Sequence, residues 1–134
     1  MIELGQTFEA GFQFTQDQVN KFIEVTGDDN PIHYDEAYAS GTMFKRPIMH
    51  GFLSASIFSR IFGTMFPGEG TIYMSQLMNF LKPMYVDQPY KAVVKVEEVV
   101  EGKHKARIST EVVDAQGDCT ISGEAWIYHR KMIP

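Results

Sequence analysis

The chain reads as an α+β fold in which one antiparallel sheet curls around a single long apolar helix. Three observations carry that reading. The stretch "FLSASIFSRIFGTMF" sets Phe58, Ile61, Phe62 and Met65 at helical spacing, the pattern of a helix that buries a bulky face. Beyond "PGEG" the chain is rich in β-branched runs such as "KAVVKVEEVV" and "RISTEVV", which favour strands. Helical and extended segments do not alternate, so βαβ crossovers and a parallel sheet are not expected.

Each element follows from local chemistry. Phe8, Phe12 and Phe14 keep an even spacing that predicts a strand, with Gly11 as a bulge. "TQDQVNKFIEVTG" then predicts a helix. Thr15 is its N-cap, Gln18 completes a capping box, Val19, Phe22, Ile23 and Thr26 share a face, and Gly27 ends it. Pro31 pushes Asn30 out of helical backbone, so "DDNPIH" is a bent, ordered loop. "YDEAYASG" is a short helix capped by Asp35 and closed by Gly41.

The apolar helix from Phe52 to Phe66 carries a second face of small residues, Ala55, Ser56, Ser59 and Gly63, where another backbone or a ligand can come close. Strands are expected over Thr71–Leu81, Tyr90–Val100, Lys105–Asp114 and Cys119–Arg130, with "VEGKH" and "DAQGD" as hairpin turns. No repeat, low-complexity tract or linker divides the chain, so residues 1–134 form one domain.

Composition excludes several function classes. With 44% hydrophobic and 22% charged residues, the sequence is neither disordered nor a coiled coil. A net charge of -5 without a basic cluster larger than Lys103 to Arg107 leaves no footprint for nucleic acid. The apolar run from Phe52 to Phe66 is interrupted by Arg60 and serines and is too short for a bilayer. "MIELGQTFEA" lacks the basic and apolar regions of a secretory signal, and Cys119 is the only cysteine. A cytoplasmic protein free of membrane is the expectation.

Two constellations bear chemistry. The first is "GDDNPIHYD", where a proline-bent loop can turn the Asp28 carboxylate and the His33 imidazole toward one water. The same residues also suit a plain turn, with Asp28 capping the chain reversal, Asn30 making an Asx-turn and His33 half exposed. On spacing alone the turn is the stronger reading. The second is "RPIMHG", which sets Gly51 at the start of the apolar helix. Unpaired N–H groups and the positive end of the helix dipole there stabilise an oxygen that gains charge. An ordinary helix start explains the glycine about as well. His50 is a candidate catalytic group, with a packed structural histidine the stronger reading.

Other sites fall away. Asp28, Asp29, His33 and Asp35 lack an H-x-x-x-H pair or a cysteine set, so no metal is expected. "GTMFPGEG" lacks the Lys-Ser/Thr of a P-loop, and no G-x-S-x-G hydrolase turn is present. Cys119 is expected to be a buried or edge thiol, His104 and His129 are expected in solvent, and the eight methionines are expected to fill core gaps or line an apolar tunnel.

With both constellations in view, the sequence resembles the MaoC-like (R)-specific enoyl-CoA hydratases of the hot-dog superfamily. The resemblance runs over nearly the whole chain, through "TGDDNPIHYDEAYA", "FKRPIMHGFLSASIFS" and "GTIYMSQLMNFLKPMYVDQPYKAVVKV". It implies that Asp28 and His33 activate water, that the Gly51 N–H binds the thioester carbonyl, that Asn30 shapes the loop and that Ser59 is a supporting hydrogen-bond partner. The implied substrate is an acyl-CoA, specifically a trans-2-enoyl-CoA hydrated to the (3R)-hydroxyacyl-CoA, with dehydration as the reverse. No cofactor is implied, because the thioester itself activates the double bond.

The resemblance has one departure and three rivals, one of them the acyl-carrier-protein dehydratase branch, whose carboxylate on the central helix is missing between Phe52 and Phe66. Asp87-Gln88 stands where the family often has Gly-Asp, in a turn remote from the chemistry. A hot-dog acyl-CoA thioesterase commonly needs an acid on or facing the central helix, and Phe52 to Phe66 contains none. A non-catalytic acyl-binding module needs neither Asp28 nor His33. Hot-dog sheets associate edge to edge, and the long C-terminal strands would otherwise leave an exposed edge, so a homodimer is expected.

Overall fold

The computed structural model describes residues 1–134. A strand β1 (Thr7–Phe12) leads into helix α1 (Gln16–Thr26), a 3₁₀ turn (Pro31–His33) and a short helix α2 (Glu36–Ser40). The long helix α3 (Gly51–Thr64) follows, and strands β2 (Ile72–Phe80), β3 (Tyr90–Val100), β4 (Lys105–Val113) and β5 (Cys119–Tyr128) complete the chain. The five strands form one antiparallel sheet in the order β1-β3-β4-β5-β2. This is the α+β, hot-dog arrangement expected from the sequence.

Local signals act as the sequence suggests. The Thr15 side chain accepts from the Gln18 N–H at 3.2 Å while the Gln18 side chain accepts from the Thr15 N–H at 2.9 Å, closing the capping box. Gly27 ends α1 at φ 77, a left-handed conformation that glycine adopts without penalty. Asp35 Oδ1 accepts from the Tyr38 N–H at 3.0 Å and caps α2. In the β4–β5 turn, Asp114 Oδ1 accepts from the N–H groups of Gln116 and Asp118, both at 2.9 Å. Asp87 holds φ 59 at the turn where the family often has glycine, so the left-handed bend is kept by a residue that tolerates it.

The core lies where α3 meets the sheet. Ile57, Phe58, Ile61 and Phe62 are buried against Val94, Val96, Ile108, Ile121 and Ile127, each of which sits on the same face of its strand. Each such side chain contributes roughly 1.5–3 kcal/mol on burial, which makes the helix inseparable from the sheet. The second face of α3 behaves as its small residues suggest: Ala55 is buried while Ser56, Ser59 and Gly63 are exposed. No helix is long and apolar enough to cross a membrane.

Three expectations need correction. Gly11 pairs regularly with Lys91 and makes no bulge; the register breaks instead at Tyr73/Ser75, Val96/Glu98 and Val112/Val113. The C-terminal strands are not an edge, because β4 and β5 lie inside the sheet and β2 closes over β5. The free apolar edge is β2, where Ile72, Met74, Leu77 and Phe80 are exposed. His129 is buried rather than solvated, its Nε2 donating to the Glu69 carbonyl at 2.8 Å and its Nδ1 accepting from the N–H groups of Lys131 and Met132. His104 is half-buried, with Nδ1 at 2.8 Å from the Ile133 carbonyl. The last residues fold back over both histidines, a contact between distant segments that local sequence does not announce.

The β2–β5 pairing depends on Gly123. A Cβ there would sit 1.8 Å from the Leu77 carbonyl oxygen, so any side chain must part the two strands. Gly123→Ala is expected to destabilise the fold by at least about 3 kcal/mol, seen as a drop in the urea midpoint. A loss below about 0.5 kcal/mol would contradict the tight approach.

Candidate active site

Three segments converge at the open end of α3. The loop after α1 brings Asp28, the 3₁₀ turn brings His33, and α3 begins at Gly51 directly after His50. Together with Phe22, Thr26 and Phe52 these residues line a cleft of about 230 Å³. One ligand-competent atom from each of Asp28, His33 and His50 lies within 4.8 Å of the others.

The loop owes its shape to short-range hydrogen bonds. Thr26 Oγ1 accepts from the Asp28 N–H at 3.1 Å, Asp28 Oδ1 from the Asn30 N–H at 3.3 Å, and Asn30 Oδ1 from the Ile32 N–H at 3.3 Å. Asn30 thus shapes the loop, as expected. Asp28 serves both readings of its sequence: Oδ1 stabilises the turn, while Oδ2 stands 3.9 Å from His50 Nε2 with the side chain about half exposed. Asp29 is exposed and its side chain makes no hydrogen bond.

His33 is held in one tautomer. Its Nδ1 lies 2.8 Å from the Ile48 carbonyl, and because a carbonyl only accepts, Nδ1 carries the hydrogen. Nε2 is left with a free lone pair. Burial pushes the imidazole below its usual value, the hydrogen bond to Ile48 opposes this, the neighbouring His50 lowers it further, and Asp28 raises it. At neutral pH His33 is therefore a proton acceptor.

Gly51 opens α3 and lines the cleft, and no side chain caps that end of the helix. The glycine also has a packing reason, since a Cβ would meet Phe80 Cε1 at 2.7 Å. Beside the cleft, sharing Gly51 and Phe52 with it, runs a larger groove of about 450 Å³ with apolar walls that include Met43, Met49, Phe80, Leu81 and Met84. Met49 and Met84 belong to the core and also wall this groove, while Met43 borders it from the surface.

The structure does not bring Ser59 to this site. It stands two turns beyond Gly51, about 12 Å along the helix axis, is exposed, and makes no side-chain hydrogen bond. Ser54, one turn into α3, is buried but returns its hydroxyl to the His50 carbonyl at 3.1 Å. Cys119 is remote from the cleft; its thiol donates to the Ile121 carbonyl, and burial pushes its pKa up.

His50 is packed, as expected, and its packing lies within the site itself. It is 3% exposed, its ring stacks on His33 with centroids 3.6 Å apart and planes 25° from parallel, and Nε2 lies 3.1 Å from the Asp28 carbonyl. The available signal was the position of His50 against the first residue of the apolar helix. Its burial depends on Phe22, whose ring meets it edge-on at 4.9 Å from a distant segment.

The environment of His33 makes a direct prediction. Imidazole NMR of the unliganded protein should show His33 titrating below the usual 6.5. The unfolded chain then takes up a proton that the folded chain refuses, so folding is penalised as pH falls below 6.5 and unaffected by this group above it. A midpoint at or above 6.5 would contradict the burial and stacking described.

The chain is similar to known proteins over most of its length. The MaoC-like domain model matches residues 2–117. The (R)-specific enoyl-CoA hydratase of Aeromonas caviae is 37% identical over 124 residues, covering 92% of each chain. The 3-hydroxybutyryl-CoA dehydratase of Methylorubrum extorquens is 32% identical over 126 residues, covering 94% of this chain and 80% of that one. The solved (R)-hydratase from A. caviae superposes with a TM-score of 0.92 at 36% identity, covering 96% of this chain and 97% of the other.

Proposed function

Because the chain belongs to the MaoC-like family, we propose that it is an (R)-specific enoyl-CoA hydratase, a hydro-lyase that adds water to trans-2-enoyl-CoA to give (3R)-hydroxyacyl-CoA and runs the reverse dehydration. One observation carries the reading: a carboxylate, a neutral imidazole and the uncapped end of α3 face the same cleft. An acid on α3, which a thioesterase of this fold commonly uses, is absent.

The chemistry follows from the tautomer of His33. A water between Asp28 and His33 donates one hydrogen to the carboxylate and the other toward the bare Nε2. As its oxygen attacks C3, Nε2 takes the proton, and the double-bond electrons move toward the thioester oxygen. That oxygen gains negative charge at the Gly51 N–H, where the end of the helix stabilises it. Asp28 offsets the positive charge of His33 during this step. The enolate then collapses as C2 takes the proton back from Nε2. Both new bonds form from one side, so addition is syn. The thioester supplies the activation, and the reading calls for no cofactor or metal.

The apolar groove beside the cleft suits the acyl-CoA arm, and the exposed β2 edge suits a second copy of the chain, giving a homodimer.

The hydration reading predicts that the purified protein removes the conjugated-enone absorbance of crotonyl-CoA. Asp28→Asn and His33→Ala, both folded, should lower kcat by at least about 100-fold. Wild-type rates in both variants, or release of free thiol in place of hydration, would overturn it. The dimer reading predicts twice the chain mass in sedimentation equilibrium and a shift to monomer for Leu77→Lys. A wild-type monomer would refute it.

A further inference from the structure

We infer that His50 is a positioning residue for hydration, a clamp that fixes Asp28 and His33 relative to each other and to the start of α3. The inference rests on the assignment of Asp28 and His33 as the water-activating pair. Its Nε2 donates to the Asp28 backbone carbonyl at 3.1 Å and so holds the loop that carries the carboxylate. Its ring forms the floor on which His33 stacks, centroids 3.6 Å apart. Its own carbonyl accepts from the Ser54 N–H and begins the first turn of α3. The side chain thus ties Asp28 and His33 together, and the backbone of the same residue ties both to the start of α3.

The hydrogen-bond pattern makes His50 unsuited to a proton-transfer role. The Asp28 carbonyl only accepts, so Nε2 carries the hydrogen. Nδ1 is buried with no partner, and a second proton there would find no acceptor. A buried nitrogen left unpaired beside a reaction cleft costs stability, and a purely structural position would be filled more cheaply by an apolar ring. The arrangement makes sense when the Nε2 donor is required at the loop carbonyl.

His50 also shapes the setting of His33. The groups around the His33 ring are His50 from the start of α3, the Asp28 carboxylate from the loop and the Ile48 carbonyl; from α1, the uncharged Gln16 donates to the His33 backbone carbonyl and Phe22 packs against His50. Of these, burial and His50 act against protonation of His33.

Two substitutions separate the donor from the ring. His50→Gln keeps an N–H donor at similar reach and loses the ring; His50→Phe keeps a stacking ring and loses the donor. With folding checked by circular dichroism and Tm, His50→Phe should lower kcat for crotonyl-CoA roughly 10- to 100-fold with KM within about twofold, because positioning rather than binding is lost. His50→Gln should recover kcat to within about threefold of wild type. It should also raise the His33 midpoint in imidazole NMR, together with the acid limb of kcat/KM. Wild-type kcat in His50→Phe would overturn the inference. So would equal losses in both variants that follow Tm while the His33 titration stays put, the mark of a structural role alone. The NMR arm uses no substrate, so a wild-type protein inactive on enoyl-CoA refutes the hydratase reading, while an unmoved His33 titration refutes the clamp.

Discussion

Three consecutive residues, Ile48 to His50, hold the site together. The Ile48 N–H donates to the Ile32 carbonyl, and its own carbonyl takes the His33 Nδ1–H. The Met49 N–H donates to the Met84 carbonyl, tying the segment to the connection between β2 and β3. His50 reaches the Asp28 carbonyl with its side chain and opens α3 with its backbone. Without this strip the loop after α1 would have only its own short turns to set its direction, and the carboxylate would have no fixed distance from the imidazole. The strip is rigid because α3, which continues from it, is buried in the core.

The division of burial between the two reacting side chains follows from that frame. Asp28 is about half exposed, whereas His33 is half-buried against another ring, and that burial lowers its pKa. Reversing the arrangement would bury a carboxylate at high cost and leave an imidazole that protonates more readily. The fold thus buries the imidazole of the pair, whose unprotonated form is favoured by burial, and leaves the carboxylate at the surface.

Much of this was legible in the sequence because the signals are local. The Thr15–Gln18 capping box, the Asp35 cap and the Asx geometry of Asn30 each involve residues within a few positions of one another, so residue type and spacing suffice. The apolar face of α3 was legible because helical period translates directly into a buried stripe. Gly51 was harder, since its closest reason for being glycine is the Phe80 ring, brought in from a strand far along the chain. Ser59 and His50 could not be sorted by spacing at all. His50 precedes α3 and Ser59 lies two turns into it, and which of them reaches the cleft depends on how α3 sits against the sheet and the loop after α1, a tertiary quantity.

The edge strand shows the same limit from the other side. Long C-terminal strands predict exposed ladders only if they end the sheet, and the crossover that carries β2 to the outside of β5 removes that condition. What reaches the edge is "IYMSQLMNF", whose Ile72, Met74, Leu77 and Phe80 are exposed in one chain, with Leu81 just beyond. Phe80 is also the ring that packs over Gly51 and walls the apolar groove. Any contact that orders the β2 edge therefore acts on the same ring that borders the start of α3. Assembly along β2 and the shape of the cleft are linked through Phe80, so a change in one must be felt in the other.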